Sequence, residues 1–121
     1  MKNSPKYNLF KNTKYAIDGF LIALKTESSF KLELFLFAIT LIVLWFLDLN
    51  TNLNFIIIVA SLLVLLIELI NSAIETVVDM ITVKYNKLAK KAKDIGSAAV
   101  MISISIYVMS WLFVIWSIYE K

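Results

Sequence analysis

The sequence contains no cysteine, no histidine and no arginine, only one proline and only two glycines in 121 residues. Without cysteine there is no disulfide, no thiolate nucleophile and no sulfur metal site. Without histidine the usual neutral-pH acid–base group and the commonest metal ligand are gone. Proton or metal chemistry must therefore draw on carboxylates, lysine, tyrosine, hydroxyls or amides. The scarcity of proline and glycine predicts long helices and few turns. A glycine-rich phosphate loop is excluded, because Gly19 and Gly96 stand alone.

What is abundant is apolar surface. The chain is 60% hydrophobic, with a mean hydropathy of +0.82, far outside the ordinary soluble range. Three apolar segments recur, at about 30–47, 53–78 and 97–118, each near the roughly 20 residues that cross a bilayer. Before them, Phe10, Ile17, Leu21 and Leu24 fall on one helical face and Lys11, Lys14, Asp18 and Lys25 on another. That pattern predicts an amphipathic helix over about 6–27, lying on the membrane surface. The expected fold is an all-α integral membrane protein of one domain, residues 1–121.

The net charge is +3, and its placement carries more information than its size. Lysines gather in the N-terminal arm and first helix (Lys2, Lys6, Lys11, Lys14, Lys25, Lys31) and again at Lys84, Lys87, Lys90, Lys91 and Lys93. The connection Asp48–Asn52 has none. By the positive-inside rule the N-terminus and the second connection are cytoplasmic, and the C-terminus is outside. In so apolar a chain these patches read as topology signals and anionic-lipid contacts, not as a nucleic-acid surface. Tyr107, Trp111, Trp116 and Tyr119 are expected to anchor the outer half of the third span at the headgroups.

Within the second span, Glu68, Asn71, Glu75 and Asp79 advance by three, four and four residues. They form a polar stripe on one helical face. Ionisable groups inside a span are costly and mark function by default. Snorkelling at a helix end accounts for Asp79 and can extend to Glu75, but suits Glu68 poorly, since Glu68 lies deeper on a short stem. Glu27 and Glu33 flank the start of the first span, and Lys93 and Asp94 precede the third. All three helix ends thus bring carboxylates to one membrane surface. Clustered carboxylates without His or Cys suit a hard, oxygen-loving cation such as Mg²⁺, which commonly shares its ligands with phosphates. Residue chemistry alone leads this far: a small helical membrane protein with carboxylates and lysines at its cytoplasmic face.

The stretch "ELINSAIETVVDMIT" followed by "YNKLAKKAKDIGSAAVMI" resembles the signature of the small prokaryotic diacylglycerol kinase family, combining E-x-x-N-S-A-I-E-x-x-x-D with A-K-D-x-G-S-A-A-V. "YAIDGFLIALKTESSFKLE" is similar to the family's surface helix and first catalytic carboxylate. The resemblance implies an ATP- and Mg²⁺-dependent lipid kinase of the bacterial inner membrane, built as a homotrimer. By resemblance, Glu68 is the general base on the lipid hydroxyl, with Asn71 in the same catalytic site. Glu27 and Glu75 hold the metal–ATP complex. Tyr15, Lys84, Tyr85, Asn86, Lys93 and Asp94 surround the nucleotide, and Glu33, Ser97 and Trp111 meet lipid. Two positions depart from the family pattern: Asn8 falls near its early Arg, and Asn86 stands where a member carries His. Diacylglycerol is the expected substrate, because "KTESSFKLELF" looks closest to the Gram-negative type. Undecaprenol is the alternative substrate. A non-enzymatic channel or transporter subunit, whose carboxylates would line a pore, is the alternative from another class.

Overall fold

A computed structural model describes residue 6 and residues 8–120. Lys2 and Lys121 lie outside the described residues. The described chain is helical throughout: α1 (Leu9–Thr26), α2 (Ser28–Leu47), α3 (Thr51–Ile81) and α4 (Lys87–Glu120).

The helix ends follow from short polar residues. Asn8 caps α1, its side-chain oxygen accepting from Lys11 N at 3.2 Å. A single residue, Glu27, separates α1 from α2. It is extended (φ −106°, ψ 105°) while its own N–H still donates to Ala23 O at 2.9 Å. Asp48 ends α2 in the left-handed region (φ 51°, ψ 48°), a conformation that Asp tolerates better than most residues. Asn50 then caps α3, accepting from Leu53 N at 3.0 Å. Asn86 starts α4, its Oδ1 accepting from Leu88 N at 2.9 Å and Ala89 N at 3.1 Å.

Helix lengths position these ends across a bilayer. At 1.5 Å per residue, α2, α3 and α4 extend about 30, 46 and 51 Å, whereas the hydrocarbon core is about 30 Å thick. All three are long and apolar enough to span it. The tight Asp48–Asn50 connection holds the end of α2 level with the start of α3, so the excess length of α3 emerges at the opposite, lysine-rich end. The helical content of that end exceeds the sequence expectation. Lys87, Lys90, Lys91 and Lys93 are not in a connecting loop but in the first two turns of α4, because Lys is a good helix former and Asn86 supplies the cap.

α3 is the most buried helix and packs most extensively on α4, next on α2; α1 leans on α2. Two small apolar clusters hold the bundle. Leu44, Ile57 and Val114 meet near the Asp48–Asn50 turn, with Leu49, Leu53, Ile58 and Trp111 around them. Ala23, Phe30 and Leu65 meet near the lysine-rich end, and the rings of Phe20 and Phe30 pack edge to face. Most other large apolar residues face outward: Trp45 is 84% and Phe46 81% exposed. So much exposed apolar surface suits lipid tails and not water, and the chain is a multi-pass membrane protein.

Tyr107 behaves differently from the expected headgroup anchor. Its hydroxyl lies 2.7 Å from Thr40 Oγ1, joining α4 to α2 in the middle of the bundle. A polar group at membrane depth needs a partner, and Thr40 supplies one that a sequence window does not reveal.

Candidate active site

One pocket gathers most of the stripe. It measures about 390 Å³ and is lined by Thr26, Glu27, Ser28, Ser29, Glu33, Glu68, Asn71, Glu75, Ser97 and Val100, with almost wholly polar walls. Three local features build it. The one-residue break at Glu27 makes no side-chain cap bond to α2, so its carboxylate remains available to the pocket, with Thr26 Oγ1 at 3.4 Å. The start of α2 places Ser28 and Ser29 there with the positive end of the helix dipole. The period of α3 stacks Glu68, Asn71 and Glu75 along one wall. Depth follows from the rise of α3: Glu68 is about 26 Å from Thr51 and Glu75 about 36 Å. Glu68 therefore lies near the edge of the hydrocarbon core, and Glu75 beyond it.

Burial separates these residues. Glu68 is 5% and Asn71 8% exposed, Glu75 and Glu27 are half-buried, and Asp79 is exposed. Two oxygens on the pocket walls, Glu33 Oε2 and Asn71 Oδ1, are buried without a hydrogen-bond partner among the described residues. Such orphaned acceptors are rare and call for an explanation; a polar ligand reaching these walls would supply one. Glu33 lies in the second turn of α2. It also lines a second, apolar groove of about 320 Å³ with Leu36, Phe37, Thr40, Val64, Ile104, Tyr107 and others. The polar pocket and the apolar groove therefore share Glu33.

The predicted nucleotide residues form another group. Lys84, Tyr85, Asn86, Lys93 and Asp94 line a pocket of about 240 Å³ at the α3–α4 connection. Lys93 is paired across helices with Asp79 at 2.8 Å, and within α4 Lys90 is paired with Asp94 at 2.5 Å. These partners hold the charges in place, although exposed pairs contribute little stability. The Asn86 side-chain oxygen is already engaged in capping α4. Lys93 and Ser97 stand one helical turn apart on the same face of α4, about 6 Å along its axis, so the two pockets are neighbours.

Two predicted residues lie elsewhere. Tyr15 is exposed on α1 and lines neither pocket. Trp111 packs on the Leu44–Ile57–Val114 cluster, about 21 Å along α4 from Ser97. Sequence reasoning missed Ser28 and Ser29. Their signal was available, since small hydroxyl residues just after a helix break present free polar groups at its first turn.

The donor set fits a hard cation. Carboxylates, hydroxyls and an amide supply only oxygen ligands to the pocket. Among the described residues, no three carboxylates converge closely enough to make a cage. A hard cation here would therefore have to complete its shell with water or with phosphate oxygens.

Fold and site together define a small three-span membrane protein with an acidic pocket at one membrane boundary, a basic pocket beside it and an apolar groove leading away. The prokaryotic diacylglycerol kinase family matches the chain over residues 14–115, and the chain belongs to that family. It is 41% identical to the diacylglycerol kinase of Haemophilus influenzae over 105 residues, covering 86% of this chain and 88% of that protein. It is 35% identical to the diacylglycerol kinase of Escherichia coli K12 over 109 residues, covering 90% and 89% respectively. The diacylglycerol kinase of Helicobacter pylori 26695 is 36% identical over 104 residues, covering 85% and 80%.

Proposed function

We propose that this protein is an ATP- and Mg²⁺-dependent kinase that converts diacylglycerol to phosphatidic acid. One observation carries the reading: Glu33 is shared by the polar pocket and the apolar groove. A substrate with a hydroxyl head and an apolar body fits that junction, its hydroxyl among the carboxylates and its chains toward lipid. A channel subunit would have no use for an apolar groove that meets its acidic residues at Glu33. Family membership and relatives named diacylglycerol kinase support the same conclusion.

In this reading the lipid hydroxyl oxygen attacks the γ-phosphorus of ATP as the bond from that phosphorus to the ADP oxygen breaks. Glu68, buried beside Asn71, accepts the hydroxyl proton in the transition state. Glu27 and Glu75 would hold Mg²⁺, which would neutralise developing phosphate charge when bound. With that charge balanced, in-line positioning is the remaining task. Asn71 orients the reacting groups. Lys93 and Asp94, with Lys84, Tyr85 and Asn86, receive the nucleotide in the adjoining basic pocket, and Tyr15 approaches it from α1. Ser97 joins Glu33 at the lipid side, and Trp111 meets lipid at the far membrane boundary.

The amphipathic pattern of α1 lays it on the cytoplasmic surface of the bacterial inner membrane. The N-terminus is then inside and the C-terminus outside, the site opening where ATP is present. By resemblance to the family the protein assembles as a homotrimer, and the exposed apolar flanks of α2 and α4 are available for contacts between copies.

The deciding assay offers purified full-length protein diacylglycerol and undecaprenol in mixed micelles with ATP. Faster phosphorylation of diacylglycerol is expected, with no turnover when Mg²⁺ is chelated. A strong preference for undecaprenol overturns the substrate, and absence of phosphoryl transfer from ATP to either lipid overturns the kinase. Glu75→Ala is expected to raise the Mg²⁺ concentration needed for half-maximal rate; an unchanged titration removes Glu75 from the ligand set.

A further inference from the structure

Of the two glycines, Gly19 has open space where a side chain would stand, and Gly96 does not. Gly96 is buried in the third turn of α4, immediately before pocket-lining Ser97. A methyl group at Gly96 would overlap Asn71 Oδ1 and come within 3.2 Å of Asn71 Cγ. Its nearest neighbours are all atoms of the Asn71 side chain, and none belongs to the α3 backbone. Glycine inside a helix is destabilising relative to alanine, so its presence here needs a local reason. The helices do not require it in order to approach each other. The Asn71 carboxamide does.

We propose that Gly96 is a positioning residue for Asn71: the missing Cβ forms the recess in α4 that seats one end of the carboxamide and so fixes the direction of the other end in the acidic pocket. The seated oxygen has no hydrogen-bond partner among the described residues, so among them it is held by shape. The steric argument is the same whichever end of the amide, oxygen or nitrogen, occupies the recess. The inference rests on the reading of Asn71 as a site residue. It extends that reading to a residue that touches neither substrate nor metal.

The test is a double-mutant cycle on the full-length protein in mixed micelles with diacylglycerol and Mg-ATP, using Gly96→Ala, Asn71→Ala and the pair. kcat, both KM values and the thermal unfolding midpoint are measured for each. Because the displaced group is the far end of a flexible side chain, Gly96→Ala is expected to fold with an unchanged or higher midpoint. Its kcat should fall by roughly tenfold or more, the scale that small misplacements produce, with each KM within about twofold. Adding Gly96→Ala to Asn71→Ala should slow turnover no further. An active Gly96→Ala beside an inactive Asn71→Ala overturns the inference and leaves the site intact. A midpoint that drops in both backgrounds, with multiplying losses of turnover, assigns Gly96 to helix packing instead. Full turnover of Asn71→Ala removes Asn71 from the machinery and Gly96 with it.

Discussion

The two ends of α3 bury the same helical face with opposite chemistry. Near the Asp48–Asn50 turn that face presents Ile57, Ala60 and Ser61, and Ile57 is sealed between Leu44 and Val114. From Glu68 onward it presents Glu68, Asn71 and Ser72, buried just as fully. Apolar groups at the turn end find complementary neighbours. At the other end the Glu68 carboxylate and the Asn71 amide are buried, and two oxygens there, Asn71 Oδ1 and Glu33 Oε2, have no partner among the described residues. In a bilayer, burial of apolar groups is not driven by escape from water, so packing holds the helices together. Unsatisfied polar burial is a cost that the fold alone does not explain. In the proposed reading the turn end maintains the bundle, and the acidic end uses part of that stability for chemistry.

Substitutions should separate the two ends by what they damage. The largest effect is expected from Glu68→Gln, which keeps shape and hydrogen-bonding reach but cannot accept the proton. Turnover should fall by about 10²–10⁴-fold, the usual contribution of a positioned acid–base group. The unfolding midpoint should hold or rise, because a neutral amide is less costly to bury than a charge. Near-normal turnover would remove Glu68 as the base. A collapsed fold would show that the acidic end, too, is structural.

Ile57→Ala should give the converse result. It opens a cavity at a fully buried site. The lipid-facing reference reduces the transfer contribution and leaves mainly the packing loss, so about 1–2 kcal/mol of stability should disappear. Turnover per folded molecule should hardly change, since the cluster is far from the pocket. A kcat that falls with Ile57→Ala at unchanged stability would mean that the two ends are coupled, and the division would fail.

The same contrast explains what was legible in the sequence. The spans were, because hydropathy over some 20 residues is a strong signal. So was the stripe from Glu68 to Asp79, because a helical period alone sets which residues share a face. Contacts between helices were not. Glu33 as the hinge between pocket and groove depends on how α2 lies against α3 and α4. The Asp79–Lys93 pair joins residues from different helices. Asn86 is an intermediate case: an Asn ahead of a lysine-rich, helix-favouring run is an N-cap signal, and it was masked by the stronger expectation of a basic loop. Tyr107 misled for the opposite reason, since aromatic residues near a span end usually do mark the interface.

The smallest expected effect tests the middle ground between the two ends, where Thr40 and Tyr107 wall the apolar groove. Thr40 Oγ1 lies 2.8 Å from Leu36 O, so its one proton goes to that carbonyl. Tyr107 must then be the donor in the 2.7 Å contact between the two hydroxyls. Tyr107→Phe removes a donor and leaves Thr40 still bonded to Leu36, so it should cost only about 0.6 kcal/mol, the average for a hydrogen bond between membrane helices. Thr40→Val should cost more, because it strands the phenol proton without an acceptor, and a stranded buried donor costs about 1–3 kcal/mol. Unfolding midpoints of the two variants and the pair measure the difference. If Tyr107→Phe is the costlier change, the donor assignment is reversed. If instead both variants keep full stability but alter the rate with short-chain against long-chain diacylglycerol, the pair belongs to the substrate groove and not to the scaffold that separates it from the turn end.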